Sequence, residues 1–502
     1  MNLYKVHLTI LLMVMSCSRT MAQDASRLTH DVEASIEASA TVSSGEFAPL
    51  WLSSNRQGIV SPYGKSSYER VGVFRSTTAD SARQWRIGYG LDLTLNQNAQ
   101  STFFIHQAYA QIDYKKLSIT IGSKERKIDL RNNELTSGGL SQGINAQPIP
   151  MVRVDIDYFR LTDWWKMKLR GGYGMTTDGA WQKRWIGDPE TMRYTGNVLY
   201  HEKAMYWKFG KEEKLPLTLE LGVQMQTLFG GTTYNVDHRG FVASSQGYDL
   251  GNGLNSFWNA LLPFGSTDAT DGSVNNTKGD VLGSYNAALT WKSKNGLQLR
   301  AYWEHFFEDH SQMFYQYYFY DHLAGVDAYF PKNPYVSDIL IEHLFTKDQS
   351  GPVYHDPTHN MPDKYAGQDN YYNHILYSGW QHWGMGIGNP LIMSPIYNSD
   401  HRMVFKSNRT KGWHIGVCGT PSDELKWKVK MSWTQDWGTY GEPLDDVVNQ
   451  QHYMAEIQYA PRRLDGWSGS FCFAVSNGLM IGNTVGAQLT VKKEIKQLWK
   501  RR

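Results

Sequence analysis

Several segments of the chain alternate between apolar and polar residues with a period of two. In the segment 85–95 (WRIGYGLDLTL) the odd positions are Trp, Ile, Tyr and Leu, and the even positions are Arg, Gly, Asp and Thr. Successive side chains of a strand point to opposite faces, so this pattern predicts a strand with one apolar face, long enough to cross a bilayer at a tilt. The same alternation recurs in six further segments, at 165–175, 217–226, 297–303, 427–434, 467–475 and 485–491.

Two other stretches carry helical spacing. Their apolar residues recur at i, i+3, i+4, i+7 and i+8, which is typical of a short amphipathic helix. These residues are Leu254, Phe257, Trp258, Leu261 and Leu262 in one stretch, and Val336, Ile339, Leu340, His343 and Leu344 in the other. We therefore predict inserted helices near 254–263 and 335–346. Each is too short to span a membrane, so we expect it to pack on the sheet or to plug one end of a barrel.

The composition narrows the class of protein. Aromatic residues make up 13% of the 502 residues and charged residues only 20%, which excludes a disordered chain. After residue 23 we find no apolar run of 18 residues, which excludes a helical membrane protein. A soluble β-sandwich also alternates, but it rarely needs about 480 residues as one unit. The sequence therefore predicts an all-β fold, a transmembrane antiparallel β-barrel.

The N-terminal residues are typical of an export signal. Lys5 precedes an apolar stretch at 6–15, and the small residues at 20–22 (TMA) precede Gln23. This pattern predicts a signal peptide over residues 1–22, followed by one barrel domain over 23–502. A second interpretation is a lipobox at 14–17 (VMSC), in which Cys17 would be acylated after cleavage.

The charge balance and the cysteines exclude two further classes. Without Lys5 and Arg19 of the signal, the 50 basic residues fall to 48, which equals the 48 acidic residues. No basic stripe is available for a nucleic-acid partner. Beyond residue 22 the cysteines are Cys418 and Cys472. A secreted domain held together by disulfides would carry more of them.

Aromatic clusters are the first candidates for binding chemistry. A sugar ring packs its flat C–H face on an aromatic ring, while its hydroxyls bind groups such as Asp. The run 314–320 (FYQYYFY), followed by Asp321, has this content, and the segment 380–383 (WQHW) is similar. The alternative is an aromatic girdle or the core of a loop. The candidate residues are Tyr315, Tyr317, Tyr318, Asp321, Trp380 and Trp383.

A second candidate is a row of basic residues. Lys166, Lys168 and Arg170 are two positions apart and would line the lumen as a ladder. Opposite an acidic polysaccharide this ladder would be a binding track. Opposite acids on other strands, such as Glu220, it would be an internal network of salt bridges.

Metal binding and catalysis are not expected. His355 and His359 are four residues apart, but Pro357 and Pro362 preclude the helix on which that spacing would bring them together. We predict no metal site, no cofactor and no catalytic residue.

Longer motifs occur along about residues 40 to 490. They are Phe47 to Gly58 (FAPLWLSSNRQG), Gly122 to Arg126 (GSKER), Asn132 to Gly138 (NNELTSG), Asn145 to Pro150 (NAQPIP), Asn197 to Lys203 (NVLYHEK), Glu304 to His310 (EHFFEDH), Lys347 to Pro352 (KDQSGP) and Gly388 to Leu391 (GNPL). In their content, order and spacing these motifs resemble those of a known family, the Wzi-type capsule assembly proteins.

The resemblance implies both a fold and a function. It implies a monomeric barrel in the cell outer membrane with about eighteen antiparallel strands, a helical bundle near the periplasmic side and long external loops. It also implies a lectin role in capsule assembly, in which the protein binds exported capsular polysaccharide and retains it on the cell surface. The alternative function is an outer-membrane porin or channel for sugars or small solutes.

Overall fold

The computed structural model describes residues 28–211, 213–236, 247–262, 279–308, 320–349 and 369–496. The predicted signal peptide and Cys17 lie outside these residues. Within them, no helix is long and apolar enough to cross a bilayer.

Most of the described chain is β-strand. In chain order the strands are β1 (Val32–Phe47), β2 (Tyr63–Arg75), β3 (Trp85–Gln97), β4 (Phe103–Tyr114), β5 (Leu117–Ser123), β6 (Met151–Arg160), β7 (Trp165–Met175), β8 (Tyr194–Gly196), β9 (Leu199–Phe209), β10 (Leu217–Phe229), β11 (Thr232–Tyr234), β12 (Tyr248–Asp249), β13 (Asp280–Lys292), β14 (Gln298–Glu308), β15 (His322–Tyr329), β16 (Asp338–Phe345), β17 (Gln381–His382), β18 (Met385–Gly386), β19 (Thr410–Gly419), β20 (Leu425–Gly438), β21 (Pro443–Tyr459), β22 (Trp467–Asn477) and β23 (Thr484–Ile495). The helices are α1 (Leu50–Ser53), α2 (Gly179–Trp185) and α3 (Leu254–Leu261).

Eighteen of these strands form one closed antiparallel barrel. The remaining five, β8, β11, β12, β17 and β18, form two small sheets in the loops. Closure is made by β1, in which Ala38 lies opposite Glu69 of β2 and also opposite Val491 of β23. Because the first strand pairs with the last, the sheet has no free edge. The expected strand number, orientation and closure are confirmed.

The wall has an apolar outer face. In β3 the side chains of Trp85, Leu91 and Leu95 are exposed, whereas Asp92 and Thr94 are buried toward the lumen. All seven alternating segments coincide with barrel strands, apart from Leu297, which immediately precedes β14, so this part of the prediction is confirmed. A slip of one residue would place charges such as Asp92 in lipid, and for this reason the register is strongly specified.

The connections differ between the two ends of the barrel. At one end they are short, for example 115–116, 161–164 and 210–216. At the other end they are long, for example 48–62, 124–150, 176–198 and 346–409. We call these ends the short-turn rim and the long-loop rim. Outer-membrane barrels have short periplasmic turns and longer extracellular loops, so the long-loop rim is the extracellular one.

The predicted helix near 335–346 is wrong, because this segment forms strand β16. Ile341 of β16 is exposed on the outer wall, as its side of the strand requires, whereas Leu340 and Leu344 face the lumen and are fully buried. Both faces of this strand carry apolar residues because loops fill the lumen behind it. The alternation with a period of two is therefore lost in this strand. The apolar residues that remain happen to have the i, i+3, i+4 spacing of a helix.

The predicted helix near 254–263 is present as α3, but it does not enter the barrel. It lies against the outer wall beside β9 and β10. The lumen is instead filled by loops, so the expectation of a helical plug is not met over the described residues.

Candidate functional site

Loops from the long-loop rim fold back into the barrel and pack into an apolar core, which we call the plug. Its segments are 48–62, 124–150, 176–198 and 369–409. Their large side chains are buried together with inward-facing residues of the wall. Among them, Trp51, Leu140, Trp380, Leu391 and Phe405 are almost completely inaccessible to solvent. The plug thus forms a hydrophobic core inside a wall whose own outer face is apolar.

The segment 124–150 is held to the wall by buried ion pairs. The Arg131 guanidinium contacts the Glu304 carboxylate and lies 3.8 Å from that of Glu342. Glu342 also accepts hydrogen bonds from the Thr136 hydroxyl at 2.5 Å and from the Ser137 amide at 2.7 Å. A buried charge is tolerated only when it is paired and hydrogen-bonded, so these contacts fix the segment inside the lumen.

Several of the sequence motifs supply these contacts. Arg126 of the GSKER motif contacts Glu202 of the NVLYHEK motif. Asn389 of the GNPL motif donates a hydrogen bond to the Ser137 hydroxyl at 3.2 Å. Glu304, which forms an ion pair with Arg131, belongs to the EHFFEDH motif. The motifs that are far apart in the sequence therefore meet where the plug contacts the wall.

The basic ladder lies on the lumen side of β7, and two of its members share one acidic partner there. Lys168 and Arg170 bind the Asp129 carboxylate at 2.7 and 2.8 Å. Burial opposes ionisation of Asp129, but the neighbouring Arg170 and Lys168 charges outweigh it and lower the pKa of this carboxyl. Lys166 lies opposite Lys208 near the short-turn rim. Of the two alternatives, Lys168 and Arg170 therefore follow the internal salt bridges. Their acidic partner is Asp129 of the plug, whereas the sequence had suggested an acid on another strand, such as Glu220.

Asp321 is a buried junction between two loops. It lies immediately before β15, and its carboxylate accepts hydrogen bonds from the amides of Asp348 at 3.0 Å and Gln349 at 2.6 Å. The Tyr371 hydroxyl donates a third at 2.7 Å. Burial raises the pKa of Asp321 to about 7, against these hydrogen bonds, which lower it. Asp321 therefore ties the start of β15 to the plug, and its carboxylate is not offered to a ligand.

The two candidate tryptophans lie in different surroundings. Trp380 is fully buried, and its indole N–H donates to the Ser141 carbonyl at 2.9 Å. It therefore belongs to the core of the plug and presents no face to a sugar. Trp383 is half-buried, and its indole N–H donates to the Thr177 hydroxyl at 3.2 Å.

Trp383 is part of a row of rings at the long-loop rim, which we call the rim aromatic row. Its members, in order, are Phe104, Trp383, Trp181, Trp185 and His401. Successive ring centroids are 4.8, 6.0, 5.5 and 4.9 Å apart. Phe104 and Trp181 are buried, whereas Trp383 and Trp185 are half-buried and His401 is exposed. The buried rings support the outer ones, which face the extracellular side.

Trp181 and Trp185 are not among the candidate residues predicted from the sequence. They lie four residues apart on α2, so both rings project from one side of this short helix. That spacing is a signal in the sequence, but a helix of seven residues gives no indication of what the rings face. Their partners Trp383 and His401 come from a loop about two hundred residues further along the chain.

One group of side chains has the composition of a metal site. Single ligand atoms of Asp92, His106 and Glu125 lie within 4.8 Å of one another. The Arg70 guanidinium, however, donates to Asp92 at 2.9 Å and to Glu125 at 2.8 Å, so it already occupies the position between the two carboxylates. A cation would have to displace Arg70, so the arrangement is that of an ion-pair cluster.

The remaining candidates are not placed. Tyr315, Tyr317 and Tyr318 lie outside the described residues, as do His355 and His359. The proposed role of the three tyrosines stays a prediction, and so does the expectation that the two histidines form no metal site.

Two voids that the described residues line near the plug are small. One of about 20 Å³ lies beside Gln57, Arg126 and Gln142, and one of about 10 Å³ lies beside Thr195 and Tyr377. A space of this size holds about one water molecule.

The sequence matches no protein-family model and no curated protein. Among solved structures, the chain is similar to Wzi, an outer membrane protein involved in group 1 capsule assembly in Escherichia coli and a carbohydrate-binding β-barrel. The TM-score is 0.54 at 12% identity, over 95% of this chain and 87% of that one. OprD of Pseudomonas aeruginosa gives 0.45 at 7% identity, over 94% and 96%. OccD3 (OpdP) of the same organism gives 0.43 at 8%, over 93% and 92%.

The similarity of the fold to Wzi and the apolar outer wall define the class of protein. The chain is an outer-membrane β-barrel of eighteen antiparallel strands, located in the cell outer membrane. At this level of identity the likeness extends to the fold.

Proposed function

We propose that this barrel serves capsule assembly as a lectin, binding exported capsular polysaccharide and retaining it on the cell surface. One observation carries the proposal. The lumen holds a plug in which Arg126, Asp129 and Arg131 are paired with charged residues of the wall, whereas aromatic rings remain accessible at the extracellular rim. The similarity of the fold to Wzi, a carbohydrate-binding barrel, supports it. The protein acts as a monomer, without catalysis and without a cofactor.

Binding is expected to use the outer rings of the rim aromatic row. Trp185 and Trp383 can each stack on one sugar ring, and stacking of a base on an aromatic ring, a comparable contact, contributes roughly 1–3 kcal/mol. A single sugar unit should therefore bind weakly. A polymer that engages several loops gains effective concentration, so the affinity should rise steeply with chain length.

The charge balance predicts how binding responds to salt. The whole chain has a formal net charge of +2, so no large field concentrates a polyanion. Lys168 and Arg170 are engaged by Asp129. Binding by stacking and hydrogen bonds should depend little on salt, because screening weakens mainly interactions between exposed charges.

The test uses a capsule-producing strain in which the gene is deleted and replaced by variants. We expect Trp185→Ala combined with Trp383→Ala to insert normally and to release polysaccharide into the medium. The matched control is Trp164→Ala, an exposed tryptophan in a turn of the short-turn rim, which should retain polysaccharide like the wild type. Polysaccharide is measured separately in the cell pellet and the medium. Normal retention by the double variant would refute binding at the row.

A further variant tests the loop tyrosines. If Tyr315, Tyr317 and Tyr318 form part of the same surface, replacing all three by Ala should also shed polysaccharide from cells in which the barrel is inserted. Normal retention would assign these rings to a girdle or to the core of a loop.

A further inference from the structure

Helix α3 lies on the membrane side of the barrel wall. The Tyr173 hydroxyl donates a hydrogen bond to the Phe257 carbonyl at 2.8 Å. The Phe257 ring also packs on the rings of Tyr173 and Phe229, with centroids 5.2 and 5.3 Å away. Tyr173 belongs to the same face of β7 as the exposed Trp165 and Met175, and that face is the outer one. The helix is therefore attached to the surface that the rest of the barrel presents to lipid.

A lysine on this outer surface fixes the position of the helix along the height of the barrel wall. Lys203 lies in the outward-facing row of β9, opposite Met225 of β10. Its ammonium donates hydrogen bonds to the carbonyls of Ala260 and Leu261, both at 2.7 Å. These carbonyls belong to the last turn of α3, where they lack partners within the helix and carry the negative end of its dipole.

The position of Lys203 gives the depth of this contact. It lies four residues into β9 from Leu199, which at about 3.3 Å per residue is roughly 13 Å along the strand from the long-loop rim. A lysine on the lipid face costs free energy, and this cost is largest at the bilayer midplane. The end of α3 covers this charge, so helix and lysine stabilise each other at the level of the outer leaflet.

The side of α3 that faces away from the wall is also apolar. Ser256 and Ala260 are buried against the barrel. Leu254, Trp258 and Leu262, at i, i+4 and i+8, form one stripe and are 76%, 61% and 46% exposed. Asn259 follows Trp258 by about 100° around the helix and is also exposed. A surface helix in water would not place a leucine and tryptophan stripe on its free side.

We propose that α3 is an interfacial helix whose free stripe, Leu254, Trp258 and Leu262, is seated in the outer leaflet of the membrane, at the boundary of headgroups and acyl chains. The partner is a lipid surface. The stripe continues the apolar outer wall, on which Leu219 and Leu221 of the neighbouring β10 are exposed. Tryptophan is enriched at this boundary, and amphipathic helices lie in its plane. The helix widens the membrane footprint of the barrel on one side, and this role is independent of polysaccharide binding.

The test places a spin label on two sides of the helix in the full-length barrel, reconstituted into vesicles of phosphatidylcholine and phosphatidylglycerol. Trp258→Cys reports the stripe, and Asn259→Cys is the matched control on the adjacent side. Cys418 and Cys472 are buried, so the unsubstituted protein should take up little label, which is checked directly. Collision rates are measured with oxygen, which concentrates in the bilayer, and with a water-soluble nickel chelate.

We expect the label at residue 258 to collide several-fold more often with oxygen than with nickel, and the label at residue 259 to favour nickel. Leu254→Cys should repeat the result of residue 258 and guards against a local effect of one substitution. The proposal is overturned if the label at 258 favours nickel. It is equally overturned if neither reagent reaches residue 258, because protein would then cover the stripe.

Discussion

Phe471 and Ser470 are neighbours in β22 and face opposite sides of the wall. Phe471, near the middle of the strand, is half exposed on the outer face, whereas Ser470 faces the lumen. Because the two residues share the same stretch of backbone, substitutions at this pair compare the lipid outside the barrel with the lumen inside it.

We predict that Phe471→Arg lowers the free energy of unfolding by roughly 2–4 kcal/mol, because it places a guanidinium in lipid. Ser470→Arg should cost clearly less, because Ser470 is only half-buried and lies near the short-turn rim, where an arginine side chain can reach water. Urea unfolding in lipid vesicles, followed by tryptophan fluorescence, measures both. Equal losses would mean that the two faces are assigned incorrectly.

Asp321 gives a second prediction at this scale, concerning pH. Its pKa is raised by burial to about 7 in the folded protein, against 3.8 for the free group. The folded junction therefore holds its proton more tightly than the opened one, and its stability falls as pH rises through this interval. Below about pH 4 both states are protonated, so the effect ends there.

The measurement is hydrogen exchange at the amides of Asp348 and Gln349, corrected for the intrinsic dependence of exchange on pH. We expect their protection to decrease from pH 4 to pH 7 in the wild type. Asp321→Asn removes the titrating group and should make protection nearly constant over this range. A variant that keeps the full pH dependence would assign it to another group.

At the scale of elements, the plug depends on a few long-range ion pairs. Arg131 is buried between Glu304 and Glu342, and its guanidinium also lies over the Tyr302 ring at 4.7 Å. Removing one member of a buried pair leaves an uncompensated charge, which costs about 3–5 kcal/mol.

We therefore predict that Arg131→Ala destabilises the protein by about this amount and loosens the segment 124–150. Lys168→Ala is the matched control, since Lys168 is more exposed and Arg170 still neutralises Asp129; it should cost about 1 kcal/mol or less. Denaturant unfolding gives the energies, and proteolysis within 124–150 reports the loosening. Similar losses for both variants would mean that Arg131 does not hold the plug.

At the scale of the whole molecule, a filled lumen should not pass ions. We predict that the reconstituted wild-type protein shows little current in planar bilayers. Arg131→Ala should produce larger and more frequent openings, because its plug is less firmly attached. Large, stable steps from the wild type would favour the porin, and they would contradict the assignment of the lumen as closed.

Removing α3 tests which element closes the lumen. The helix lies outside the wall, so deletion of 254–262 should leave the low conductance unchanged. A rise in current after this deletion would show that the helix contributes to closure.

The sequence determined the wall of this protein. Alternation with a period of two is a local property, because neighbouring side chains of a strand face opposite sides whatever the rest of the chain does. It therefore identified the seven segments, the outer face and the basic ladder in the lumen. The pattern failed at 335–346 because the plug buries Leu340 and Leu344 from behind, which makes both faces of β16 apolar.

Only the tertiary structure decided what fills the barrel and what lies outside it. Arg131 and its partner Glu304 are 173 residues apart, and the rings of α2 meet Trp383 from a distant loop. Which groups pair is set by barrel closure and by the path of the loops, and neither is encoded in a local period. The same holds for α3, whose sequence predicts an amphipathic helix but does not indicate on which side of the wall it lies.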